Sequence, residues 1–456
     1  MMVSDRVYRL LKITKDAMFE NKYAGIPLKV FNDEEIFELE LRNVFTKNWV
    51  FLGFESEIPN PGDYVLRYIG IDPFIVIRGE DNKIRTLLNI CRHKGNLIIR
   101  DERGNSKFFQ CPYHGWTYDY KGKLVGVPFR EKGFKNLDLE SWGLIQARTE
   151  TYEGLIFATI NPKAPSLEEY LGDAKWYLDI IVKATGGIEV IGPPHKWIAD
   201  INWKSDVDNF GDSLHPFYTH KVIGDLGLIE TRKNRFSNSK TVSRTEFLVV
   251  DIKDKRNFPV SWLIYRMDPN QEDVYFSYPA EIVKSFNQSS VNEDQWYILR
   301  KGAAMIFSVY PNLNIIIEGF TKIGSKDPYL PVLFFRQTNP LAPDKSIIWR
   351  WYPVPKGTPE DLRIKLADLA RATFSSTGVI EQDDVFMWRG QTRAARGIIA
   401  EDIILNYQFG SLGMGDVDIV KDAKWPGTVI GTNLSDIGLK TFWKRWALDM
   451  LGESNE

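Results

Sequence analysis

The chain has only two cysteines in 456 residues. Two thiols exclude a disulfide framework and a four-cysteine zinc ribbon. Histidine is scarce as well, at five. No apolar run approaches the roughly 18–20 residues of a membrane-spanning helix, and charges occupy the stretch Met1–Leu10 where a signal peptide would carry its apolar core. There is no block of like charge and the formal net charge is −2, so neither nucleic acid nor a membrane is an expected partner. Low-complexity segments and fixed-period repeats are missing too. With 43% apolar and 26% charged residues, these absences describe a globular, cytoplasmic protein. A chain of 456 residues exceeds one ordinary core, so two domains are expected.

What is present is concentrated. Both cysteines fall in one pattern with two histidines: Cys91-Arg-His93, seventeen residues, then Cys111-Pro-Tyr-His114. Two thiolates and two imidazoles at this spacing suit one tetrahedral zinc, or a [2Fe–2S] cluster with cysteines on one iron and histidines on the other. A glycine follows each pair, Gly95 and Gly115, and lets each loop turn tightly. The strings Cys91-Arg-His-Lys-Gly95 and Cys111-Pro-Tyr-His-Gly-Trp116 resemble the Rieske iron–sulfur motif. The respiratory kind has a further cysteine in each loop; here residues such as Asn96 and Tyr113 stand there, so no disulfide crosses the cluster. The resemblance is therefore to the lower-potential kind of oxygenases and their ferredoxins, in a reducing compartment.

A second constellation begins at Asn202-Trp-Lys204 and runs through Asp208-Asn209-Phe210-Gly-Asp212-Ser-Leu214-His215-Pro-Phe217-Tyr-Thr-His220. Residues five apart on a helix point about 140° apart, so His215 and His220 meet at one metal only if the helix ends or bends between them, as Pro216 allows. A carboxylate to complete a facial triad stands at Glu381-Gln-Asp383-Asp384, in a helix starting after Gly378. Spacing alone leaves Asp383 and Asp384 open. His195, the fifth histidine, reads as structural or exposed.

Around these motifs the chain is mixed up to residue 44, with a capped helix near Asn32–Leu41. Short β runs follow at Tyr64–Ile69, Phe74–Ile77 and Ile84–Leu88, then a hairpin at Tyr118–Leu124. Asn161–Pro165 reads as a linker, and Phe442, Trp446 and Met450 recur every four residues on a helix expected to dock by one apolar face.

The motifs in this order, with Pro426-Gly-Thr428, Ser435-Asp-Ile-Gly438 and Phe442–Trp446 in the tail, resemble the large (alpha) subunits of Rieske non-haem iron aromatic-ring-hydroxylating dioxygenases of the biphenyl and naphthalene type. The segment Lys204–His215 is one residue shorter than in those enzymes, and Lys94 stands where many relatives have arginine. The resemblance implies an α+β fold: an all-β Rieske domain (45–165), an N-terminal arm (1–44), and a catalytic domain (166–456) with an antiparallel sheet covered by helices, a helix-grip of START-like form. It implies a [2Fe–2S] cluster on Cys91, His93, Cys111 and His114, and Fe(II) on His215, His220 and Asp384. Asp212 then matches the acid bridging two metal centres of neighbouring subunits, Asn209 a nearby amide, and Phe210, Leu214, Phe217, Phe374 and Ile380 the substrate pocket. The implied activity is cis-dihydroxylation of an aromatic ring with O2, in a homotrimer with or without a beta subunit. NAD(P)H would supply the electrons through a separate reductase and ferredoxin. A demethylating or amine-oxidising Rieske monooxygenase, a pure electron carrier and a zinc-binding regulator remain as alternatives.

Overall fold

The computed structural model describes residues 3–20, 25–212, 214–229, 245–251, 262–266, 272–410, 418–419, 424–432 and 436–453. Ser213 and Ser435, which fall in the motifs above, lie outside them. The chain divides into two compact units, residues 45–167 and residues 1–44 with 168–456.

The unit 45–167 is all-β at its centre. A seven-stranded antiparallel sheet contains Asp63–Ile69, Asp72–Arg78 and Ile84–Leu88 side by side, with Gln146–Tyr152, Leu155–Thr159 and Val50–Phe54 beyond. The three expected strands are found, each joined to the next by a tight turn. A smaller three-stranded sheet pairs Phe108–Gln110, Thr117–Asp119 and Leu124–Gly126, which is the expected hairpin plus one strand. Alternation puts Phe109, Tyr118 and Leu124 into a core with Ile75, Ile77 and Leu87.

The other unit is built on a nine-stranded antiparallel sheet among the described residues. Its order runs His195–Ala199, Lys345–Trp351, Leu330–Ala342, Leu313–Phe320, Ala304–Val309, Trp262–Arg266, Thr245–Asp251, Thr428–Thr432, Asp418–Ile419. Helices Trp203–Phe210, Glu360–Phe374, Glu381–Ala394 and Ile437–Leu451 belong to this unit. Ile315, Ile317, Phe335 and Phe307, and their neighbours Ile316, Phe334 and Ile306, are all buried, so both faces of the central strands are covered. This gives the expected α+β architecture of an antiparallel sheet under helices.

The N-terminal residues join this unit through a helix, Asp5–Glu20, that lies against Ile437–Leu451. The expected helix spans Glu34–Glu40, capped by the Asp33 side chain, which accepts from the Ile36 N–H at 3.1 Å. At its end the Glu40 carboxylate is fully buried and accepts from the indoles of Trp203 and Trp446, both at 2.8 Å, while Lys204 Nζ pairs with it at 2.6 Å. The Asn-Trp-Lys motif is thereby explained. Asn202 caps the helix by accepting from the Lys204 N–H, and Trp203 and Lys204 satisfy one buried carboxylate.

The C-terminal helix differs from expectation. Trp443, Arg445, Ala447 and Asp449 are buried as well as Trp446 and Met450, so more than one face is covered. Polar side chains make this possible: Trp443 donates to Asp208 at 2.7 Å, and Arg445 pairs with Asp449 at 3.0 Å. No helix among the described residues is long and apolar enough to cross a membrane.

Candidate metal centres and cavity

Two loops of the small unit have the same backbone design. In one, the Cys91 N–H donates to Asn96 O and the Gly95 N–H to Cys91 O; in the other, Cys111 N–H donates to Trp116 O and Gly115 N–H to Cys111 O, at 2.8 and 2.9 Å in both loops. The closing glycines take φ of +72° and +73°, a left-handed conformation that a side chain would strain. Cys91 and Cys111 are buried and unbridged. The His93 and His114 rings stand 4.6 Å apart, and His93 stacks on Trp116 at 4.9 Å and 7°.

The surroundings prepare these groups for a metal. The Tyr118 hydroxyl lies 3.5 Å from Cys91 Sγ and accepts from the Arg92 N–H at 3.1 Å. Burial pushes the free Cys91 thiol up, and burial with the nearby His114 and Lys94 charges holds His93 below its ordinary value, in the neutral form that binds metals. His93 Nδ1 is buried and makes no hydrogen bond among the described residues. Two sulfurs, two imidazoles and that orphaned nitrogen fit a [2Fe–2S] cluster.

In the large unit three side chains converge. One ligand atom each from His215, His220 and Asp384 can be chosen so that all lie within 4.8 Å of one another. Asp384 Oδ1 is 3.1 Å from His220 Nε2 and 3.8 Å from His215 Nε2. The histidine pair needed a break in the helix. The chain forms a short helix, His215–Tyr218, and a second, Lys221–Asp225, with His220 non-helical between them. Pro216 does not make the break: it sits in the first turn of the short helix, where its missing N–H costs nothing.

Asp383 faces the other side of His220, at 3.5 Å from Nδ1, with 43% of its side chain exposed. Asp384 is buried. Burial alone would raise it, but His220, His215 and Arg336 outweigh that and hold it ionised below its ordinary value. Two imidazoles and one ionised carboxylate on one side of a cavity fit Fe(II).

Asp212 lies behind His215. Its Oδ1 accepts from the backbone N–H groups of Leu214 and His215 at 2.7 and 3.2 Å, and its Oδ2 is 3.5 Å from His215 Nδ1. Asn209 Nδ2 is 3.3 Å from His215 Nε2. Deeper still, Asp208 accepts from Tyr407 at 2.8 Å and from Trp443. Burial, only partly offset by those donors, pushes its carboxyl up to about 7.

Glu381, first residue of the acidic motif, is wholly internal. It pairs with Arg350 at 2.7 Å and Arg336 at 3.4 Å, and Arg336 also pairs with Asp206. Two arginines balance two acids there, beneath Asp384. Arg350 and Tyr352 both donate to the carbonyl of Phe374, which fixes that residue against the cavity.

A cavity opens beside His215, His220 and Asp384. Phe210, Phe374 and Ile380 line it as expected. Phe217 does not; it packs on the same apolar cluster from outside. Leu214 is half-buried at the helix cap and is not in the wall either. The residues missed are on the sheet: Ile306, Ile316, Glu318, Phe320, Phe334 and Arg336. Their signal was available only as alternation, since Ile316, Glu318 and Phe320 are two apart. His195 is half-buried on an edge strand beside Tyr352, away from this cavity.

Comparison with known proteins extends this geometry. The Rieske [2Fe-2S] domain family matches residues 48–148. Biphenyl 2,3-dioxygenase subunit alpha of Rhodococcus jostii (strain RHA1) is 32% identical over 424 residues, covering 91% of this chain and 87% of the relative. The N,N-dimethyl phenylurea N-demethylase subunit alpha of Sphingobium sp. (strain YBL2) is 31% identical over 438 residues, covering 92% and 90%. Among solved structures, naphthalene 1,2-dioxygenase from Rhodococcus sp. bound to indole is similar with a TM-score of 0.89 at 33% identity, covering 99% of this chain and 100% of that one.

Proposed function

Because the chain belongs to the large (alpha) subunits of the Rieske non-haem iron aromatic-ring-hydroxylating dioxygenases, we propose that it cis-dihydroxylates an aromatic ring held in the cavity beside His215, His220 and Asp384. The enzyme is an oxidoreductase, the terminal oxygenase of a multicomponent system. The observation that carries the ring assignment is the convergence of two imidazoles and one carboxylate at a cavity lined largely by isoleucine and phenylalanine side chains.

Cys91, His93, Cys111 and His114 would hold the cluster, and His215, His220 and Asp384 the iron. Bound there, the cluster supplies single electrons and the iron supplies O2 activation. The overall reaction, ring + O2 + 2 electrons + 2 protons to a cis-dihydrodiol, takes its electrons from NAD(P)H through a separate ferredoxin or reductase. Asp212 aims His215 by fixing its backbone with one oxygen and facing its ring with the other. Asn209 meets the opposite edge of the same ring. Phe210, Phe374 and Ile380 exclude water and orient the ring.

The His114 side chain is exposed, while Asp212 keeps 29% of its own surface open. This supports an arrangement in which His114 of one copy meets Asp212 of a second copy, in a cytoplasmic homotrimer with or without a beta subunit. Asp212→Asn is expected to leave both metals bound and to slow single-turnover electron transfer by about 10–100-fold. Wild-type rates in stopped-flow would remove the bridge.

N-demethylation is the second reading, because the phenylurea N-demethylase is as similar as the ring dioxygenases. There N–CH3 + O2 + 2 electrons + 2 protons gives N–H, formaldehyde and water. Iron- and sulfide-loaded protein, supplied with electrons and a panel of aromatic compounds, separates the two. A dihydrodiol with O2 uptake supports the first reading; formaldehyde without diol supports the second.

A further inference from the structure

A second cavity lies in the same unit, and one side chain stands between it and the first. It is a cleft between the helix Glu360–Phe374 and the turn from Thr321 to Leu330, lined by charged groups such as Lys322, Arg363 and Asp368 and open to solvent at Asp327, Ile364 and Arg371. Of the described residues that line the two cavities, Phe320 alone is common to both. It ends the strand Leu313–Phe320, opposite Leu330, and the next N–H, that of Thr321, donates to the Leu228 carbonyl at 2.9 Å. The backbone is thus tied on two sides. Alternation from Ile316 through Glu318 sets the Phe320 side chain on the cavity face, where its ring meets Phe374 edge-on at 5.2 Å. Phe374 is itself fixed, because Arg350 and Tyr352 hold its carbonyl. Leu330 and Leu369 belong to the same apolar cluster but, of the two cavities, line only the cleft, so they back the partition from that side.

Phe320 is only 1% exposed although an open cleft lies against it. A ring in that place closes one end of the cavity to a ligand and keeps the water of the cleft out of it. We infer that Phe320 is a specificity-determining residue: its ring limits how far a substituent on the aromatic substrate extends from His215, His220 and Asp384, and bars that substituent from the cleft. This rests on the cavity being the substrate pocket. Beyond the ring, lysine, arginine and acidic side chains join leucine and isoleucine in the lining, so the part of a ligand suited to cross is an alkyl chain with a polar end. Each CH2 group moved from water into an apolar setting is worth roughly fourfold in affinity, so a chain stopped at Phe320 forgoes a gain that a chain passing it keeps.

The probes are phenyl-terminated primary alcohols of growing chain length, from benzyl alcohol to 6-phenylhexan-1-ol. Their dissociation constants are to be measured by anaerobic calorimetric titration of the cluster- and iron-loaded protein, where no turnover occurs. In wild type the longest alcohol is expected to bind within about threefold of the shortest. In Phe320→Ala the longest is expected to gain at least about tenfold on the shortest, relative to wild type. Ile306→Ala widens the cavity at a residue that does not line the cleft, and its gain is expected to stay under about threefold. Equal ratios in wild type and Phe320→Ala, or an equal gain in Ile306→Ala, overturn the inference. So does a wild-type affinity that rises about fourfold with every CH2, since the cavity would then have no stop. If Phe320→Ala fails to fold, Phe320→Val takes its place with the same outcomes. Equal ratios, with O2-dependent product from the same alcohols, would remove the role of Phe320 and leave the oxygenase reading intact. Binding of no alcohol to any of these proteins would remove both.

Discussion

The two candidate metal constellations are assembled in opposite ways. Cys91 to His114 is one short stretch, folded into two loops with the same hydrogen bonds and the same positive-φ glycine. His215, His220 and Asp384 come from distant segments, brought together by a break between two short helices and by a helix seated on a buried ion-pair network. The first design stores its geometry in backbone turns, the second in long-range packing. A local site should thus fail through a turn, and a dispersed one through any element that supports it.

The largest expected effect tests the dispersed site. Asp384→Ala should eliminate detectable O2-dependent product while the visible spectrum of the small unit stays unchanged; retained turnover would transfer the ligand role to Asp383. Next comes its foundation. Glu381→Gln leaves Arg336 and Arg350 with Asp206 as the remaining acid of the network, and should cost roughly 3–5 kcal/mol in urea unfolding. A loss below about 1 kcal/mol would mean that the network does not support the site.

The turn-based design is sharpened by comparing its two glycines. Both have the same φ, so alanine at either should cost about 1–2 kcal/mol. A Cβ on Gly115 would also sit 2.9 Å from Pro128 Cγ, whereas one on Gly95 meets nothing within 4 Å. Gly115→Ala should therefore lose cluster absorbance at a lower temperature than Gly95→Ala; the reverse order would contradict the packing.

The smallest effect is a pH dependence of the large unit. Asp208 is raised to about 7 from 3.8, so the folded state holds a proton that the unfolded chain gives up. Its contribution to stability is complete below about pH 4, declines as pH rises through 7, and is gone above that. Melting temperatures between pH 5 and 8 should fall more steeply for wild type than for Asp208→Asn.

The same contrast governs how much could be read from sequence. The cluster loops were legible because ligands, spacing and glycines lie together, and the strands around them alternate visibly. Asp384 became legible only through its motif; nothing local separates it from Asp383, and burial against Arg336 and His220 makes the difference. Nearness to the motifs singled out Phe210, Phe374 and Ile380, which line the cavity, and Leu214 and Phe217, which do not. The sheet side of the cavity, Ile306 to Arg336, went unseen because it lies well outside both motifs, between His220 and Glu381. Yet Glu318, one acid inside the run Ile315-Ile-Ile-Glu-Gly-Phe320, was a visible anomaly. The extent of burial along Ile437–Leu451 was hidden for another reason: its indoles find partners, Asp208 and Glu40, on segments that sequence does not place nearby.

Glu40 ties this last point to practice. A single carboxylate grips Trp203, Lys204 and Trp446, and so fastens an early helix and a late one to the segment that leads into His215. Anyone shortening this protein for expression should leave both of those helices in place, since deleting either would release an internal charge ten residues or so upstream of the loop that carries His215 and His220.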